Sequence, residues 1–161
     1  MAIVTDNLFS TTGIQLPTDA CVVIVYTEWN KVTIDKLKEG AVKILEEKKV
    51  KYIFLEVPGA VEIPFAIKNY WEKSSIKPHA FIALGCVIRG GTPHFEYVSQ
   101  MVSSGIIQLN ITLPVPTIFG ILTLDNQTQA DERTGGIHGH KGEEAAITAI
   151  KMISLANKIL D

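Results

Sequence analysis

Two kinds of apolar pattern alternate along this chain. Apolar runs of strand length recur at Cys21–Tyr26 (CVVIVY, continuous), Tyr52–Val57, Ala80–Ile88 and Val115–Leu124. Between them the spacing changes to about 3.6 residues. Ile34, Leu37, Ala41, Ile44 and Leu45 fall on one face of a first helix, with Lys and Glu opposite. A second helix is predicted from Val61 to Ser74, with Glu62 in its first turn. Pro64 is tolerated there because the first turn needs no N–H partner. A third runs from about His94 to Asn110, and a last from near Gly142 to about Leu160. Strands that do not alternate polar and apolar are buried on both faces, as in parallel sheets covered by crossover helices. The pattern predicts an α/β fold, a three-layer α/β/α sandwich around four parallel strands, as one domain over residues 1–161. Residues 1–16 read as an N-terminal arm with some β character around Ile3 and Val4.

Charge modifies this picture in one place. From Tyr97 to Leu124 there is no Lys, Arg, Asp or Glu, a run of 28 residues. The third helix therefore has a core face (Val98, Met101, Val102, Ile106, Leu109) and an opposite face of Ser, Gly, Gln and Asn. A solvated helix normally carries charge outside. The last helix is broadly apolar, through Ala145, Ala146, Ile147, Ala149, Ile150, Met152, Ile153 and Leu155. Both helices are expected to contact other subunits. Elsewhere composition mainly excludes. An apolar fraction of 47% with 20% charged residues is not that of a disordered chain. A net charge of −2 and a pI near 6.1 speak against a general nucleic-acid binder. No apolar stretch reaches membrane-spanning length, and the start shows no secretory pattern. Cys21 and Cys86 lie in separate strands and are expected as buried, reduced thiols, consistent with a cytoplasmic protein.

In a parallel sheet, ligands sit beyond the carboxyl ends of the strands. The unusual residues of this chain fall there. VIRGGTPHFEY (Val87–Tyr97) takes a strand through a Gly-rich turn into a helix N-terminus. Such a terminus favours anions, and Gly91 and Thr92 could cradle a phosphate beside the imidazole of His94. An ordinary turn with a capping threonine fits the same residues. No Lys-Ser/Thr follows, so this is not a Walker loop. Trp29, after strand one, could stack on a flat heterocycle or serve core or interface. Glu62 in PGAVEIP reads without further information as a charge near a helix N-terminus. DERTGGIHGHKGEE (Asp131–Glu144) is a polar loop in which Arg133 could clamp phosphate and Lys141 and Glu144 could orient substrate. His138 and His140 form an HxH without a convincing third ligand, so no metal is expected.

Taken in order, EVPGAVEIPFA, ALGCVIRGGTPHFEYVS, PVPTIFGILT and the ERTGG–HGHKGEEAA stretch resemble the 6,7-dimethyl-8-ribityllumazine synthases of riboflavin biosynthesis. The resemblance covers about Cys21 to Leu160. It implies a flavodoxin-like fold and a transferase without cofactor or metal. That enzyme condenses 5-amino-6-(D-ribitylamino)uracil with 3,4-dihydroxy-2-butanone 4-phosphate, through imine formation, phosphate elimination, cyclisation and dehydration. By motif, it implies that Trp29 stacks on the pyrimidine. Ala60, Val61 and Glu62 would contact the ribityl chain and the second substrate. Cys86, Val87 and Ile88 would line the heterocycle with backbone groups. Gly91 and Thr92 would hold phosphate together with Arg133, and His94 would transfer protons. Phe119 and Arg133 match positions that the family supplies from a neighbouring subunit, with Lys141 and Glu144 as supporting polar residues.

The chain departs from the family pattern in three places. Trp29 stands where many members carry Phe, and its larger ring suggests tighter flavin binding. Pro93 replaces a Thr or Met and removes one amide donor. His140 stands where Asn is common before the lysine. The family forms pentamers, and some members assemble sixty subunits into an icosahedral shell. The short Gly135–Gly142 loop favours the shell, with the N-terminal arm adding a strand to a neighbour's sheet. Two other readings share this fold: a riboflavin synthase of the archaeal kind, and a non-catalytic flavin-binding or shell protein. Retention of the phosphate turn, His94, Arg133 and Glu144 weighs against both.

Overall fold

The computed structural model describes residues 9–160. Four parallel strands, β1 (Cys21–Thr27), β2 (Lys51–Val57), β3 (Ala80–Ile88) and β4 (Thr117–Leu124), form one sheet in the order β2-β1-β3-β4. Five helices follow the chain: α1 (Lys31–Glu47), α2 (Ile63–Lys73), α3 (His94–Thr112), α4 (Gln127–Glu132) and α5 (Lys141–Leu160). Helices α1 and α5 cover one face of the sheet, and α2 and α3 cover the other. The fold is the three-layer α/β sandwich that the apolar pattern predicts.

The central strands show why. Val22–Val25 of β1 and Ala80–Leu84 of β3 have no exposed surface. Their side chains alternate between two separate apolar clusters. Val22 and Ile24 join Leu37, Leu45 and Ile150, while Val23 and Val25 join Ile63, Ile67 and Ile106. Each fully buried Ile or Leu contributes about 1.5–3 kcal/mol of transfer free energy. The edge strands are less enclosed, with Phe54 exposed on β2, and Phe119 and Thr123 exposed on β4.

Several boundaries differ from expectation. Strand β4 begins at Thr117 rather than Val115, because Pro116 has no N–H to offer the ladder; only its carbonyl is used, accepting from Phe81 N. Asn110 pins the start of β4, its side chain accepting from Thr117 N (2.8 Å) and donating to Thr117 O (2.9 Å). The second helix is preceded by a single 3-10 turn, Ala60–Glu62, and the α-helix proper starts at Ile63. The segment expected as a polar loop contains the end of α4 and a short antiparallel hairpin, β5 (Thr134–Gly136) with β6 (Gly139–His140). Helix α4 is capped by Asn126, whose side chain accepts from Gln129 N at 3.1 Å.

Three expectations about burial need correction. Met101 is not a core residue; it is 57% exposed on α3, whose buried positions are Val102, Ile106 and Leu109. Most apolar positions of α5 face this chain's own core, and only Met152 and Leu155 of the eight expected for contact with other subunits are exposed. Cys86 is buried, but Cys21 is half-buried; both are unpaired. Of the expected arm, Phe9, Ile14 and Leu16 pack against the α1–α5 side of the core, while Ile3 and Val4 lie outside the described residues.

The α2–α3 layer contains a close approach that decides the sign of one substitution. A Cβ at Gly105 would lie 2.5 Å from Cγ and 3.0 Å from Cβ of Pro64, a ring that cannot rotate away. Ala ordinarily gains about 1 kcal/mol over Gly inside a helix. Overpacking costs about 1–3 kcal/mol, so the clash wins. Gly105→Ala is expected to lower the urea-unfolding free energy by about 1 kcal/mol, and Pro64→Ala in the same background to recover it. A single variant as stable as the parent would show that this contact is loose.

Candidate functional site

The carboxyl ends of β1, β2 and β3 open into a cavity of about 780 Å³. Its walls bring together Trp29 and Asn30 after β1, Gly59–Glu62 after β2, and Cys86, Val87 and Ile88 at the end of β3. Gly90, Thr92 and His94 follow in the turn into α3, and Phe95, Val98 and Met101 line it from the helix itself. Backbone hydrogen bonds lace these loops to one another. Glu28 N donates to Val57 O (2.9 Å) and Trp29 N to Pro58 O (3.4 Å), while the Thr27 hydroxyl donates to Trp29 O (3.2 Å). Asn30 turns the chain into α1 in the left-handed region, φ 59°. Its side chain does not cap that helix. Instead its Nδ2 donates to the Cys86 carbonyl at 2.7 Å, tying the β1 loop to the end of β3. The Trp29 ring is thereby held at the cavity mouth, 73% exposed.

The turn from β3 to α3 is held from both sides by Arg89. Its backbone N–H donates to Leu124 O (2.8 Å). Its guanidinium pairs with Asp125 (2.8 Å) and with Glu96, and stacks over the Phe95 ring at 4.2 Å. The guanidinium holds the Glu96 and Asp125 carboxyls below their ordinary range. No side chain caps α3; Pro93 occupies that position, so Thr92 is not the capping threonine that an ordinary turn would use. Gly90 and Thr92 stand in the cavity wall, whereas Gly91 is exposed beside it. Neither glycine has a positive φ, and a Cβ on either would meet no atom within 4 Å. The chain itself therefore does not require glycine at 90 or 91; the space beside them is open to a ligand.

The remaining expected site residues lie elsewhere. Phe119, Arg133, Lys141 and Glu144 line a second concavity of about 590 Å³ along the edge strand β4 and the start of α5. It shares no lining residue with the first. Arg133 is held 17% exposed by bonds from its guanidinium to Gln129 O (3.0 Å) and the Glu132 carboxylate (3.3 Å). Lys141 and Glu144 form an ion pair at 2.7 Å. The first cavity has one carboxylate, Glu62, one imidazole, His94, and no Lys or Arg among its lining residues. The second has two cations. Among the described residues, no group of three or more His, Cys, Asp or Glu side chains could hold a metal ion.

Sequence reasoning missed Asn30, Gly90, Phe95 and the cavity-facing role of Met101. An Asn directly before a helix reads as a cap, and only the fold shows its bond to Cys86. Val98, Met101 and Val102 fall on one helical stripe, so the spacing on α3 gave no signal that part of this face lines a cavity.

Comparison with known proteins identifies the family. The sequence model of the 6,7-dimethyl-8-ribityllumazine synthase family matches residues 19–157. A 6,7-dimethyl-8-ribityllumazine synthase from Parabacteroides distasonis is 46% identical over 136 residues, covering 83% of this chain and 84% of the relative. That of Porphyromonas gingivalis is 46% identical over 135 residues, covering 82% and 83%. That of Bacteroides fragilis is 45% identical over 133 residues, covering 81% and 92%. The chain belongs to the 6,7-dimethyl-8-ribityllumazine synthase family.

Burial fixes the chemistry of the one thiol in the first cavity. Desolvation pushes Cys86 from 9.0 up to about 11, so it stays a neutral thiol at physiological pH and is not a nucleophile. In a Cys21→Ser background, Cys86 is expected to hold roughly a hundredfold less thiolate at pH 8 than an ordinary cysteine. Iodoacetamide labelling should therefore be correspondingly slow and still rising at pH 10. A labelling rate that levels off near pH 9 would contradict this.

Proposed function

We propose that this chain is a 6,7-dimethyl-8-ribityllumazine synthase whose active site is completed between two copies. The observation that carries the reading is the division of charge between two cavities. The first cavity suits a flat heterocycle and a polyol: it has an apolar wall, an aromatic ring at its mouth, and a carboxylate and an imidazole at its rim. It also offers an open, glycine-rich turn to a phosphate, yet no lining cation. Arg89 is near but is already paired with two carboxylates. The second cavity offers Arg133 and Lys141, with Phe119 beside them. Brought against a neighbour's first cavity, it supplies the missing charge.

On this reading the aminouracil lies against Trp29, with its ribityl chain toward Ala60, Val61 and Glu62. Backbone groups of Cys86, Val87 and Ile88 face the ring edge. The phosphate of the butanone substrate rests on Gly91 and Thr92 and is clamped by the neighbour's Arg133. The 5-amino group adds to the ketone, and water leaves as the imine forms. Inorganic phosphate is then eliminated, the ribityl-bearing nitrogen closes the ring, and a second water is lost. His94 moves protons in these steps, and Lys141 with Glu144 supports the polar side. Much of the acceleration comes from holding two reactants together. Acid–base help of the His94 kind adds about 10²–10⁴-fold. No cofactor or metal takes part.

The same reading extends to assembly. Tyr97, Met101, Ile107 and Ile111 of α3, and Phe119 of β4, are exposed apolar side chains in the uncharged run. We assign them to contacts within a ring of five subunits, and the short hairpin to a sixty-subunit shell of such rings. No helix among the described residues is long and apolar enough to cross a membrane. With two unpaired cysteines, we place the enzyme in the cytoplasm.

Mixing two impaired variants tests the shared site. His94→Ala should slow turnover about 10²-fold without abolishing it. Arg133→Ala should mainly raise KM for the butanone phosphate. Co-assembled in equal amounts at low substrate, one half of the sites draw an intact His94 and half of those an intact Arg133. About a quarter of parental activity should therefore return. No recovery in verified mixed assemblies would mean that each chain carries its own complete site. A separate prediction follows from the open turn. Gly90→Ala should leave the melting temperature unchanged, because its methyl meets no protein atom. It should nevertheless raise KM for the phosphate substrate several-fold, since it fills space the anion needs. An unchanged KM would mean that the anion does not use the space beside Gly90.

A further inference from the structure

The residue just before α5 carries a side chain that the proposed chemistry does not use. His140 ends β6, pairs with Thr134 in the hairpin, and immediately precedes Lys141. Its Nδ1 accepts from Glu143 N at 3.4 Å. That is the bond an N-cap side chain makes to the third residue of a helix. Lys141 N in turn donates to Arg133 O at 2.8 Å, so the two cations of the second cavity are joined through one backbone hydrogen bond beside His140. Helix α1 supplies the other side of the joint. The three nearest atoms to a Cβ built at Gly40 all belong to the His140 ring, which it would overlap. A Cβ at Gly142 would likewise run into the Leu37 backbone carbonyl, so the first turn of α5 lies directly on α1.

We propose that His140, seated on Gly40, is a positioning residue that holds Arg133 and Lys141 in one frame for the phosphorylated substrate. This rests on the reading of the second cavity as the cationic half of the site. Imidazole is a larger cap than Ser, Thr, Asp or Asn, which are the usual choices. It reaches the helix N–H only because residue 40 has no side chain. The glycine and the histidine therefore form a pair: a side chain at 40 displaces the ring, the ring releases Glu143 N, and the joint between Arg133 and Lys141 loosens. A misplacement of about 1 Å at a substrate-holding group can cost 10²-fold. Neither His140 nor Gly40 touches substrate in this account.

The test uses steady-state kinetics on the full-length, assembled protein, with thermal unfolding measured alongside. His140→Ala should raise KM for the butanone phosphate roughly 10- to 100-fold, with a smaller change in kcat. His140→Asn should recover most of that, because a carboxamide oxygen accepts the same N–H. Gly40→Ala should act like His140→Ala, yet cost little further in a His140→Asn background, because the obstructing ring is gone. Melting-temperature losses in His140→Ala with an unchanged KM would reduce His140 to a structural cap and overturn the proposal. Additive, independent effects of Gly40→Ala and His140→Asn would also overturn it. Arg133→Ala separates the two readings. If it raises KM while His140→Ala does not, only the positioning role fails. If Arg133→Ala is silent and His140→Ala is not, the positioning role stands and acts through Lys141. If both are silent, the phosphate reading of this cavity fails together with it.

Discussion

A parallel sheet buried on both faces leaves chemistry only at its ends. Here β1 and β3 are enclosed so completely that no polar side chain could face inward without a partner, an omission that costs about 1–3 kcal/mol per group. Most of the candidate site residues are consequently carried by the segments that leave the strands, while Cys86, Val87 and Ile88 end β3 and Phe119 sits on the edge strand β4. Those segments would be mobile alone. They are fixed because the ladder continues past the strand ends: Glu28 donates to Val57 at the end of β2, Trp29 donates to Pro58 just beyond it, and Asn30 reaches the Cys86 carbonyl. The rigidity of the site is thus inherited from the sheet, and the left-handed backbone at Asn30 is the local strain that permits it.

Charge placement follows from the same constraint. An unpaired guanidinium facing a largely apolar cavity would be desolvated without compensation. Arg89, the cation nearest the turn, avoids this by pairing with Glu96 and Asp125 and stacking on Phe95. Arg133 and Lys141 avoid it by holding carboxylates on a different surface. In the proposed shared site, the anion is what makes it favourable to bring these cations against the first cavity. Binding to the assembled form alone stabilises that form by mass action. Phosphate and substrate analogues would then strengthen the assembly, and assembly would sharpen phosphate affinity.

How far the sequence discloses this depends on whether the information is local. Val22–Val25 and Ala80–Leu84 are legible as central strands because burial on both faces leaves no polar position. The start of β4 is misjudged because apolar character continues back through Pro116 to Val115, whereas pairing needs an N–H that Pro116 lacks. Helix α4 is invisible because six residues, QTQADE, bury only Ala130 and show no period. Met101 is assigned to the core because helical spacing says which residues share a face, not whether that face meets core or cavity. The candidate site residues are individually ambiguous in the sequence. The family motifs single them out, and the fold then divides them between two surfaces. The packing of His140 on Gly40 could not be read, since the two are a hundred residues apart and neither follows a motif that names the other.

The exposed apolar residues of α3 bear on why a shared site would need a large assembly. Tyr97, Met101, Ile107 and Ile111 lie along the uncharged stretch of α3, and each would contribute about 1.5–3 kcal/mol if fully covered. Association costs an estimated 4–15 kcal/mol in lost freedom before any surplus appears. A single contact made by this helix would roughly break even. A closed ring makes one more contact than the number of bonds needed to hold its members together, so its final contact is formed without a further full association cost. In the proposed shared site, the half-sites offered by Phe119, Arg133 and Lys141 on one surface and by Trp29 and His94 on another would be a heterologous pair, the geometry that generates rings rather than isologous dimers. Closure would then complete every active site in the same event that covers the uncharged stretch of α3. The absence of charge from Tyr97 to Leu124 and the absence of a lining cation in the first cavity would have one cause: both surfaces are finished by the neighbour.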